Sequence, residues 1–166
     1  MKKIIALALS AVLALSMVAC GGSKNEAKYD VDKILSTIEE VAPVRMGMPV
    51  DEEYMTWLSI NSEMYEDYAG TYNPTGIGVD FILVVLAKDG KTEDVKSALE
   101  AHRDYIATTN SNYVPVYTEA ANAGRIVEKG NYVLLVMHSG DEETAALNGI
   151  DKVYEPIDAA IEKAFN

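Results

Sequence analysis

Three side chains in this 166-residue chain have types suited to chemistry: its single cysteine, Cys20, and its two histidines, His102 and His138. A thiolate can attack a substrate or bind a metal, and an imidazole can move protons or ligate metal near neutral pH. The spacing supports neither use strongly. His138 runs into Ser139, Gly140, Asp141, Glu142 and Glu143, so an imidazole and three acids can be imagined around a metal. A catalytic zinc site needs about three protein ligands with a short pair spacing, and two distant histidines do not supply that pair. The acids are explained more simply as a helix start, with Ser139 and Glu142 at the spacing of a capping box. His102 falls on the stripe Val95, Leu99, His102 and Ile106, where a core or boundary histidine is the plainer expectation. The loop around Asp89-Gly90-Lys91 lacks the alternating oxygens of a calcium loop, and no phosphate loop or nucleophile elbow occurs. No catalytic residue, cofactor or metal is therefore assigned.

Cys20 has a different use. "MKK" and then "IIALALSAVLALSMVA" form a cationic start and an apolar run, together the pattern of an export signal. The run is shorter than the roughly 20 apolar residues that span a bilayer. Leu15-Ser16-Met17-Val18-Ala19-Cys20 resembles the bacterial lipobox, with Met17 where that signal usually has Leu. A lipid-modified Cys20 accounts for a lone thiol in an exported chain, which has no second cysteine for a disulfide. Two or three acyl chains hold a protein firmly where one binds reversibly. The expected layout is a signal peptide over 1–19, Cys20 and a Gly/Ser-rich tether over 20–29, and one domain over 30–166. The expected address is the outer face of the cell membrane.

The formal charge of −12 disfavours nucleic acid, because phosphate contacts need clustered Lys and Arg. It also keeps the domain from adhering to anionic headgroups, leaving the Cys20 lipid as the membrane partner. Ten tyrosines and one tryptophan are the other unusual feature. Tyr54, Trp57, Tyr65, Tyr68 and Tyr72 crowd one region, and an exposed aromatic surface would suit an envelope protein or a glycan. The alternative is that they are half-buried boundary residues with hydroxyls in water.

The elements that position these residues follow from periodicity. Ile34, Leu35, Ile38 and Val41 predict a helix capped by Asp30, and Asp51 caps a short acidic one. A strand is expected over roughly Glu66 to Tyr72, with a turn at Asn73-Pro74. "VDFILVVLAK" is apolar on both faces and predicts a central strand. A helix capped by Thr92 follows, then one short turn after Pro115. "RIVEKGNYVLLVM" predicts a hairpin at Lys129-Gly130-Asn131. Ile150, Val153, Ile157, Ile161 and Phe165 continue with helical period, broken or kinked at Asn148-Gly149 and Pro156. This order predicts a single α+β domain, a mainly antiparallel sheet of three to four strands packed against helices on at least one face.

The middle of the chain, from "VDFILVVLAKDGKTEDVKSALEAHRDYI" through "NYVPVYTEAANAGRIVEKGNYVLLVM", resembles a family of small Gram-positive lipoproteins catalogued as domain of unknown function number forty-three fifty-eight. The similar positions are Asp80, Arg103, Tyr113 with Pro115, and Gly130-Asn131-Tyr132. The family pattern has an acid directly after that Asp, where this chain has Phe81. The resemblance implies a lipoprotein and a fold but no reaction. Trp57, Tyr65, Tyr68, Arg103 and Tyr113 are the candidate interaction surface. The expected function is a non-enzymatic binding module at the envelope. The alternative is a small envelope enzyme using His138 or His102 with nearby carboxylates, with or without a metal.

Overall fold

A seven-residue run, Phe81–Ala87, sets the architecture because every one of its side chains is buried. Side chains alternate between the two faces of a strand, so such a run needs cover on both. In the computed structural model, which describes residues 29–111, 114–140, 145 and 147–166, that cover is helical on each side. In chain order the described elements are α1 (Val31–Glu39), β1 (Met48–Pro49), α2 (Glu52–Trp57), β2 (Tyr65–Tyr72), β3 (Phe81–Ala87), α3 (Thr92–Asn110), α4 (Pro115–Asn122), β4 (Arg125–Lys129), β5 (Tyr132–Met137) and α5 (Ile150–Ala164). The sheet has five strands in the order β1-β2-β3-β5-β4, every neighbour antiparallel. The α+β expectation therefore holds, with five strands rather than three to four. The two-residue β1, carrying Pro49, had no strand signal in the sequence.

Alternation along β3 and β5 divides the core. Phe81, Leu83, Val85, Val133, Leu135 and Met137 pack beneath α2, α3 and α4. Ile82, Val84, Leu86, Leu134 and Val136 pack against α1 and α5 on the other face. Each fully buried aliphatic side chain contributes about 1.5–3 kcal/mol, so the two central strands hold the three layers together.

Local signals explain most boundaries. Asp30 accepts from the Lys33 amide at 3.1 Å and Asp51 from the Tyr54 amide at 2.8 Å, so both predicted caps are present. Thr92 is not a cap: it is the first helical residue, and Lys91 precedes it without a side-chain hydrogen bond. Pro115 opens α4 at a position where its missing N–H has no intrahelical partner to lose, and α4 runs eight residues rather than one turn. At the hairpin, Gly130 has φ +60° while Asn131 stays out of the left-handed region, the pattern of a type II′ turn whose twist suits the strands. Gly149 starts α5, but Pro156 lies within it and does not end it.

The two ends of the described domain meet. The Tyr29 hydroxyl donates to the Phe165 carbonyl at 2.8 Å, and the Tyr132 hydroxyl donates to the Tyr29 carbonyl at 2.6 Å. The rings of Tyr29, Tyr132 and Phe165 pack edge-on at 5.1–6.0 Å. Among the described residues no helix is long and apolar enough to cross a membrane. The leader, Cys20 and the tether through residue 28 lie outside the described residues, whereas Tyr29, expected as the end of the tether, packs on the domain.

Candidate functional site

Asp80 immediately precedes the buried strand β3 and is itself buried. An isolated carboxylate there would be costly, so its partners define this end of the sheet. Asp80 Oδ1 accepts from the Ser139 amide at 2.9 Å and from the Ser139 hydroxyl at 3.0 Å. Oδ2 accepts from Arg45 Nε at 3.2 Å. His138 Nδ1 lies 3.3 Å from Oδ1, within ion-pair distance. Its approach is too oblique for a well-formed hydrogen bond, and that buried nitrogen has no other partner among the described residues. Burial alone would raise the Asp80 pKa, but His138 and the two Ser139 donors outweigh it and hold the carboxyl well below the usual 3.8.

The capping box expected from Ser139 to Glu142 runs into residues outside the described ones, but Ser139 itself is described. Its hydroxyl is engaged with Asp80 and also accepts from the Val79 amide at 3.1 Å. Asp141, Glu142 and Glu143, the imagined ligands, lie outside the described residues. Among the described residues no group of three or more His, Cys, Asp or Glu is placed to hold a metal. Gly78, at φ +90°, lets the β2–β3 loop pass close over this cluster, since a Cβ there would sit 3.1 Å from Ser139 Oγ. Arg45 is brought in just before Met46, a non-glycine residue at φ +52°. The Tyr154 hydroxyl braces the same strand end, accepting from the His138 amide at 3.0 Å and donating to the Ala120 carbonyl at 2.8 Å.

Beside this cluster a cavity of about 600 Å³ opens between the β2–β3 loop and the C-terminal half of α3, with Phe81 and Met137 from the sheet at its base. Aromatic rings make up much of its wall. Tyr54 lies 4.3 Å from Tyr72 and 6.0 Å from Phe81 at low interplanar angles, and Phe81 lies 4.8 Å from His102. Burial, with Tyr72 alongside, pushes the Tyr54 phenol up to about 12, so it stays neutral. His102 is 5% exposed, and burial lowers its pKa to about 4. Tyr105 and Ile77 stand exposed at the mouth, at 54% and 62%.

The sequence candidates divide. His102 belongs to the cavity, and it is also shared with a smaller neighbouring hollow beside Trp57. Trp57, 54% exposed, packs edge-on against His102 at 5.3 Å and Tyr105 at 5.9 Å. Tyr65 and Tyr68 form their own edge-on pair at 5.0 Å on β2 and do not line the cavity. Arg103 also lies off it, paired with Asp104 at 3.2 Å. Tyr113 lies outside the described residues. His138 and His102 do not converge, one facing Asp80 and the other the aromatic wall. Sequence reasoning missed Asp80, Arg45 and Ser139 as one unit. The available signal was an acid placed directly before a wholly apolar strand. Phe81, where the resemblance led us to expect an acid, is buried in the aromatic wall.

No curated protein and no solved structure matches the chain. One family model does, over residues 46–138, a span that includes Arg45's neighbour Met46, β1 through β5 and His138. The chain belongs to that family, described as a domain of unknown function, DUF4358.

Proposed function

We propose that this chain is a membrane-anchored extracytoplasmic lipoprotein whose domain is a non-enzymatic binding module, with the cavity as its binding site. The observation that carries the binding half is the state of the titratable groups around that cavity. Asp80 is buried and engaged by Arg45 and Ser139, and the Ser139 hydroxyl donates its hydrogen bond to Asp80 rather than to a histidine. The Ser139 hydroxyl is thereby committed to holding Asp80 and Val79, and the concave, mostly apolar site beside it is of the size small-molecule binding uses. The anchor half is supported by the export signal and the lipobox-like residues ending at Cys20. Cys20→Ser should release the protein from the membrane or leave it unprocessed in a fractionation experiment. A variant that stayed membrane-bound and normally processed would remove the anchor.

The enzyme alternative retains one specific observation, the 3.3 Å approach of His138 to Asp80. A substrate turned over by the purified protein and lost in His138→Ala or His102→Ala would establish it over binding alone.

A further inference from the structure

His102 is polar, nearly fully buried, and makes no hydrogen bond to any described residue. Its ring contacts are all aromatic, to Trp57, Tyr54 and Phe81. Its ring nitrogens are not among the polar atoms of the described residues sealed away without a partner, Thr118 Oγ1 and His138 Nδ1, so water or a ligand can reach them. His102 lines the cavity.

Three other polar side chains on the wall are already engaged, and the remaining ones are the hydroxyls of Tyr54, Tyr72, Tyr105, Thr109 and Tyr117. Asn73 donates to the Ile77 carbonyl and accepts from Thr75, Asn110 donates to the Ile106 carbonyl, and Asp80 is held by Arg45 and Ser139. A sugar would bring hydroxyls on most of its ring edge against a wall made chiefly of ring and aliphatic carbon, and each unmatched one would lose its water. An anion would approach a buried carboxylate in a chain of formal charge −12. A cation would need open ring faces, but Tyr54 is laid against Tyr72 and Phe81.

Resting on the binding-module proposal, we infer that the cavity takes a small uncharged aromatic molecule with one hydroxyl or N–H, and that His102 supplies the hydrogen bond that selects it. The neutral imidazole offers one donor and one acceptor, so it can meet either group. Aromatic and aliphatic walls take the ring, and Tyr105 and Ile77 flank the entrance.

Trp57, the single tryptophan, contacts His102 and so reports on the site by fluorescence. The full chain is titrated at neutral pH with phenol and toluene, which differ by one hydroxyl, and with benzoate, glucose and tetramethylammonium. Phenol should saturably change the emission and bind about 2- to 12-fold more tightly than toluene, the range of one hydrogen bond. His102→Leu should bring phenol down to toluene's affinity, while His102→Gln, which keeps a donor and an acceptor, should retain the preference. Equal binding of phenol and toluene by the unaltered chain, or no response to either up to about 10 mM, a concentration near the weak limit of specific binding, overturns the inference. Binding of glucose or tetramethylammonium in their place also overturns it, yet leaves a binding module standing. Loss of the module itself is read separately, as turnover of a substrate.

Discussion

Ser139 meets Asp80 with two atoms and Val79 with one, and all three groups are buried. Ser139→Ala removes the hydroxyl and leaves the Val79 amide without its partner, so urea unfolding should show a loss of about 1–3 kcal/mol. His102 should give the domain a pH dependence with a definite sign. Its folded pKa of about 4 lies below the ordinary 6.5, so the unfolded chain binds the proton first as pH falls. Its contribution is complete above about 6.5 and is lost progressively down to about 4, by at most about 3 kcal/mol. His102→Leu should flatten denaturation midpoints across that window. Asp80 acts lower: its depressed pKa contributes stability above the ordinary 3.8 and loses it as pH falls through the folded value. The role of Ser139 was not legible in the sequence because a capping box is seen at a separation of three, whereas Asp80 is 59 positions away. His102 was legible as buried, since its helical stripe is a local property. That its neighbours are rings from α2 and β3 is not.

At the scale of elements, the strands and helices that bury one continuous pattern were the most legible. β3 has no exposed residue and is central, and the hairpin of β4 and β5 turns where Gly130-Asn131 marks it. What periodicity could not supply was the neighbour across the sheet, which is why β1 escaped notice. The tyrosines show the same limit. Closeness in sequence grouped Tyr54, Tyr65, Tyr68 and Tyr72, but position along β2 separates them, with Tyr72 at the cavity and Tyr65 seven residues away at the far end of the strand. Gly70 tests how tightly β2 is pressed between its neighbours. A Cβ there would lie 2.8 Å from the Ile82 carbonyl oxygen and from Leu83 Cδ1, and 3.0 Å from Val50 Cγ2. Gly70→Ala should therefore destabilise by about 1–3 kcal/mol, seen as a lowered thermal midpoint.

Across the whole molecule, two helical layers enclose one sheet, and the chain closes on itself through Tyr29, Tyr132 and Phe165. Tyr29→Ala should speed hydrogen exchange at the start of α1 and the end of α5 while leaving Phe81 and Met137 protected. That contrast is expected because the clasp and the cavity sit at opposite ends of the strands: Tyr132 pairs with Leu86, and Met137 with Phe81. The intervening length of β5 is about 17 Å. Tyr29, where the described domain begins, thus lies a strand's length from the cavity entrance. The anchor proposed at Cys20 would therefore attach at the end of the sheet remote from the mouth and leave that mouth unobstructed by the attachment point.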